Sequence, residues 1–187
     1  MNRIEKISTL VGDVALPLIG YFFWNWNLYF ILLFFMLDQL ARVVFMNWRM
    51  KLTIIPTKEK RIRILQGSFL FLAEILVIHA MVHLQQPHMH FDVEFWKFFT
   101  FKDMGIQQGY VLLPLIFLGE WMRINNELKL NIVGAKQVYI LDKARKNSFI
   151  RIGFFALLIG ILPFVVVPEG IMVFLFLTLI TALVFVV

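Results

Sequence analysis

The chain has 187 residues, 60% of them apolar and 21 of them Phe, with a mean hydropathy of +0.80 and a net charge of +6. That composition excludes an ordinary soluble domain, which is roughly 45–50% apolar. With no cysteine in the sequence, disulfides, thiolate chemistry and Cys-ligated clusters are excluded as well.

Long, almost uncharged stretches match what a hydrocarbon layer of about 30 Å requires of a helix. Alternating ten-residue segments of the kind a membrane β-barrel needs do not occur. The sequence therefore predicts an all-α, polytopic transmembrane helix bundle of about six spans, forming one domain over residues 1–187. The spans fall at about 6–24, 28–48, 64–84, 107–124, 152–167 and 171–187.

The first span follows a basic head, Arg3 and Lys6, and contains Pro17; no small-x-small cleavage site follows it, so it reads as a retained span. "NWN" (Asn25 to Asn27) turns the chain into the second span, which carries Asp38, Gln39 and Arg42. Beyond a basic loop, the third span carries Glu74, His79 and His83. "QQP" then leads to His88 and His90, and "FDVEFWKFFTFKD" predicts an interfacial helix over about residues 91–103, its rings at headgroup depth. The fourth span holds Pro114 and Glu120. A second basic loop, containing Ser148, precedes the fifth span with Pro163, and "PEG" (Pro168 to Gly170) turns into the sixth.

All but three of the 18 Lys and Arg lie at the amino terminus, in the second loop or in and beside the fourth; the exceptions are Arg42, Lys97 and Lys102. Cations are retained on the cytoplasmic side, so both termini are expected there. The location is a cell membrane crossed several times, in a bacterium the inner one. Cations beside spans point to anionic lipid headgroups as partners, and no groove-reading motif points to nucleic acid.

Asp13, Asp38, Arg42, Glu74 and Glu120 form the expected intramembrane polar set, since an unpaired charge at a helix centre costs about 2.5–3.5 kcal/mol on insertion scales. Asp38 and Arg42 are four residues apart and suit an ion pair on one helix face. Glu74 has no cation three or four positions away, and Arg42 is the one cation well inside a span, so the four carboxylates compete for it. His79 and His83 are four apart and could share a metal ion. His88 and His90, with Asp92 and Glu94 nearby, could add ligands for a transition metal. Glu74 does not join them, lying roughly 140° and 180° around the helix from the two histidines of its span. "HAMVH" has Ala80 where the zinc-protease pattern HExxH has Glu. Hydrogen bonding of His79 to another helix, with the other three solvated or interfacial, is the alternative, and no cofactor is expected.

"LPLIGYFFWNWNLYFILLFFMLDQLARVVF", "ILVIHAMV", "LGEWMR" and "FIRIGFFALLIGI" together carry the pairs Asp38-Gln39, His79-Ala80, Gly119-Glu120 and Arg151-Ile152. This layout resembles a domain-of-unknown-function family of prokaryotic six-span membrane proteins, in which Glu-Asn stands where this chain has Asp38-Gln39. The resemblance implies the same span order over most of the chain and brings no activity with it.

Three classes of function follow. The first is a non-enzymatic subunit or scaffold that joins other membrane proteins, or copies of itself, through its spans. The second is a small proton- or ion-coupled permease using Asp38, Arg42, Glu74 and Glu120. The third is a metalloprotein built on His79, His83, His88 and His90.

Overall fold

The computed structural model describes residues 11–51, 56–100, 108–129 and 135–186. Seven helices and no strands occur among them: α1 (Val11–Phe23), α2 (Leu28–Lys51), α3 (Thr57–Gln85), α4 (Phe91–Thr100), α5 (Gln108–Lys129), α6 (Ala135–Ile161) and α7 (Glu169–Val186). Residues 6–10 of the expected first span, 101–103 of the expected interfacial helix, 107 of the expected fourth span and 187 of the expected sixth lie outside the described residues.

α1 opens as a π-helical turn, Val11–Ala15, and continues as α-helix from Leu16. Pro17 stands two residues after the π-helical turn, where the α-helical part begins. The helix ends when the backbone N–H groups of Trp24 and Trp26 both donate to the Gly20 carbonyl, at 3.1 and 2.9 Å. Asn25 takes a positive φ of 48° to make this reversal, a conformation Asn tolerates better than most residues. The Trp26 ring then lies on Gly20, where a Cβ would come within 2.4 Å of it.

α2 is the centre of the bundle. Asn27 caps it, its Oδ1 accepting the Phe30 N–H at 2.8 Å, and Glu169 from the start of α7 accepts the Leu28 N–H at 2.5 Å. Every residue from Leu28 to Leu37 is buried, as expected of a helix that is apolar all round. α2 packs against α1, α3, α4, α5 and α7, and α3 packs along α6. Aromatic rings fill the middle: Trp26 meets Phe34 at 5.8 Å and Phe98 at 6.0 Å, and Phe176 meets Phe35 at 5.1 Å and Phe155 at 6.0 Å. Such pairs add about 0.5–1.5 kcal/mol each beyond area burial.

Leu28–Trp48 and Thr57–Gln85 are long and apolar enough to cross a membrane, while Val11–Phe23 and Glu169–Phe185 are shorter apolar helices. Several helices do not begin or end where the expected spans do. α3 begins at Thr57, seven residues before the expected start, and has 29 residues, roughly 44 Å of helix. α6 begins at Ala135, inside what reads as a loop, and ends at Ile161 rather than at 167. Pro163 therefore lies beyond the helix end, not inside a helix, and Ser148 lies on a helix, not in a loop. The reason is common to these cases: hydropathy marks where apolar side chains begin and end, whereas a helix continues through polar residues until a proline or an unpaired turn stops it.

Candidate functional site

Two ion clusters occupy the middle of the bundle. In the first, the Arg42 Nη2 of α2 donates to Asp13 Oδ1 and Oδ2 at 2.9 and 2.7 Å and lies 2.8 Å from Asp38 Oδ2. One guanidinium thus serves two carboxylates. The π-helical turn brings Asp13 to it from α1, and the four-residue spacing brings Asp38 to it along α2. Glu120 on α5 accepts from Arg123, one turn further on, through Nε at 3.0 Å and through Nη2. Both residues are within electrostatic range of Asp38, and Glu120 of Arg42.

In the second cluster Arg151 of α6 holds Glu74 of α3 side-on, Nε to Oε1 at 2.5 Å and Nη2 to Oε2 at 3.0 Å. Glu74 is 2% exposed and Arg151 6%. Arg151 also donates to Ser148 Oγ at 3.0 Å and to Gln39 Oε1 at 3.3 Å, and its guanidinium lies 5.2 Å from the Phe35 ring centroid. Its donors are therefore widely used, which is what a buried charge pair requires if it is not to be a net loss.

Gln39 joins the clusters. A guanidinium can only donate, so the carbonyl end of the Gln39 amide faces Arg151 and its NH2 faces Asp38 Oδ2, at 3.4 Å. Asp38 and Gln39 are adjacent, so they point about 100° apart around α2, one to each cluster.

The expected polar set is thus divided. Asp13, Asp38 and Arg42 meet, with Glu120 near them. Contrary to the expectation from the sequence, Glu74 does not compete for Arg42, because Arg151 satisfies it from another helix. Arg151 reads in the sequence as a loop-flanking cation; the signal that distinguishes it is the apolar residues on both sides in "FIRIGFF". Arg123 and Ser148 are likewise partners that the sequence reading leaves out.

The histidines take different places. The His79 Nδ1–H donates to the Ile75 carbonyl at 2.8 Å, which leaves Nε2 to accept from the Tyr29 hydroxyl at 3.4 Å. Both ring nitrogens are then used. Phe91 stands 5.0 Å from the His79 ring and 6.5 Å from that of His83. His83, His88 and His90 are exposed; the last two border an open groove with Asn27, Gln85, Glu94 and Lys97. Among the described residues, no three His, Asp or Glu side chains gather at a spacing that could hold a metal ion.

In comparisons with known proteins, no family model matches the chain, and no curated protein or solved structure matches it.

Proposed function

We propose that the chain is a multi-pass membrane protein of about six spans with both termini on the cytoplasmic side, acting as a non-enzymatic subunit or scaffold of a membrane protein complex. The observation that carries this reading is the self-contained ion network. Asp13, Asp38 and Glu74 each meet an arginine of the same chain, and Gln39 links the two groups, so the charged side chains of the bundle interior serve to tie α1, α2, α3 and α6 together. The apolar flanks of the helices are left for contact with other molecules. Phe69, Leu72 and Leu76 on α3, Leu115 and Leu118 on α5, Leu157 on α6 and Phe174 on α7 all point outward. A surface of that kind suits lipid chains or the spans of neighbouring proteins. The resemblance at Asp38-Gln39, His79-Ala80, Gly119-Glu120 and Arg151-Ile152 supports the six-span layout.

The test is purification in lipid nanodiscs without crosslinker, read by native mass spectrometry. A stoichiometric second membrane protein or a defined homo-oligomer is the expected result; a lone, monodisperse chain overturns the subunit reading.

One observation favours a second reading, a proton- or ion-coupled permease. Asp13, Asp38 and Glu120 set three carboxylates against the two guanidinium groups of Arg42 and Arg123. Solute uptake into proteoliposomes driven by a pH gradient, and lost in Asp38→Asn, is the result that selects it.

A further inference from the structure

Where α2, α3 and α6 meet at the basic end of the bundle, they leave a crevice that neither ion cluster reaches. Val43, Met46 and Met50 of α2 and Ile64 of α3 give it mostly apolar walls, with Asn47 the one uncharged polar side chain among them, and Arg63 and Arg145 complete the lining. Gly67 keeps it open: nothing lies within 4 Å of the position its Cβ would take. The two arginines come from different helices yet point at one place. Asp142 Oδ1 lies 3.1 Å from Arg63 Nη1 and 3.7 Å from Arg145 Nη1, so a single anionic oxygen already sits between them. That carboxylate is half exposed, as is Glu59, the other partner of Arg63. Exposed pairs of this kind are worth about 0–1 kcal/mol and give way readily to an anion that fits better.

The surroundings select the anion. Lys58, Arg61 and Lys146, exposed on the same two helices, do not line the crevice and add only screened, long-range attraction for anions. Trp48, 44% exposed on α2, stands at the same end, and exposed Trp is characteristic of headgroup depth. An apolar crevice, two converging guanidinium groups and an interfacial Trp match a molecule with a phosphate at one end and hydrocarbon at the other.

We propose that this crevice binds one anionic glycerophospholipid, its phosphodiester held between Arg63 and Arg145 and its glycerol-ester region against Val43, Met46, Met50 and Ile64. The proposal rests on the membrane reading above. Arg presents planar paired donors to phosphate oxygens; displaced Asp142 is left in solvent, where it needs no partner.

Native mass spectrometry of detergent-released protein titrated with phosphatidylglycerol or phosphatidylcholine tests this. Wild type is expected to retain one phosphatidylglycerol and to prefer it over phosphatidylcholine. Arg63→Gln with Arg145→Gln is expected to weaken retention on the order of tenfold, the loss of a charge-assisted paired contact. Lys58→Gln with Lys146→Gln, the same change in net charge, is expected to leave it within about twofold, as surface charges some distance away are screened. Gly67→Leu fills the crevice while leaving both arginines, and is expected to lower retention with an unchanged melting profile. Equal loss in the lysine pair, equal binding of phosphatidylcholine, full retention in Gly67→Leu, or displacement by millimolar glycerol 3-phosphate, which marks a site for soluble phosphate, overturns the proposal. Recovery of the chain in the soluble cell fraction is a different result and overturns the membrane reading instead.

Discussion

Arg151 and Glu74, 77 residues apart in sequence, meet side-on through two hydrogen bonds where α3 packs along α6. Both are buried, so removing the cation alone strands a carboxylate. Arg151→Met should lower stability by about 3–5 kcal/mol. Glu74→Leu combined with Arg151→Met should restore most of it. Thermal unfolding of the detergent-solubilised protein checks the pair; a double variant as unstable as Arg151→Met would mean that the arginine matters for Gln39 and Ser148 rather than for Glu74.

Arg42 is shared by Asp13 and Asp38, and this sets an order among variants. Asp38→Asn leaves Arg42 with Asp13, and Asp13→Asn leaves it with Asp38, so each should be tolerated with a loss of about 1–2 kcal/mol. Arg42→Met leaves two facing carboxylates without a cation and should be the most damaging of the three. Melting temperatures that rank Asp38→Asn below Arg42→Met would show that Asp38 has a role beyond this pairing.

The turn between α1 and α2 depends on the bare backbone of Gly20. Gly20→Ala drives a methyl group into the Trp26 ring and should cost about 1–3 kcal/mol, the usual penalty for overpacking. Gly153→Ala is the control, since nothing lies within 4 Å of its would-be Cβ; it should be neutral or slightly stabilising. Equal effects would mean that helix propensity, not the Trp26 contact, decides both.

Single cysteines at exposed positions test the topology. Asp92 and Val166 should react with a membrane-impermeant maleimide in intact cells, and Lys58 and Lys146 only after lysis. Labelling of Lys58 from outside would reverse the orientation, and protection of Val166 would place the link between α6 and α7 on the inner side.

His79→Ala leaves the buried Tyr29 hydroxyl without its acceptor and should cost about 1–3 kcal/mol. Changing His83, His88 and His90 together to Ala should move stability by less than about 0.5 kcal/mol, because all three are exposed. A melting temperature that drops after chelator treatment in wild type, but not in the triple variant, would reveal a bound metal.

How far the sequence carried the reading depends on what each residue's neighbours in sequence disclose. The helical nature of Leu28–Lys51 was legible because its apolar residues run all round, and Arg42 with Asp38 was legible because their spacing is local. The start of α3 was not: Lys58, Arg61 and Arg63 are polar, and polarity conceals a helix that extends past its apolar part. Glu74's partner was illegible for another reason. Ion pairing across a bundle depends on how α6 is rotated against α3, and no local pattern records that rotation. In the sequence Gln39 is legible only as the neighbour of Asp38, since its link to Arg151 exists only once both helices are in place.

The separation of Glu74 from Arg151 also has a consequence in time. At a synthesis rate of about 5–20 residues per second, the guanidinium is made roughly 4–15 s after the carboxylate that lies 77 residues earlier. Asp13 and Arg42 are 29 residues apart, so the first hairpin leaves the ribosome with a cation already beside its carboxylates. On the membrane reading, α3 does not. Until α6 is made, Glu74 must remain in contact with water or be sheltered by the insertion machinery. A nascent chain halted anywhere between α3 and Arg151 is thus a species with an exposed electrostatic defect, one that quality control could recognise and that the finished chain no longer shows.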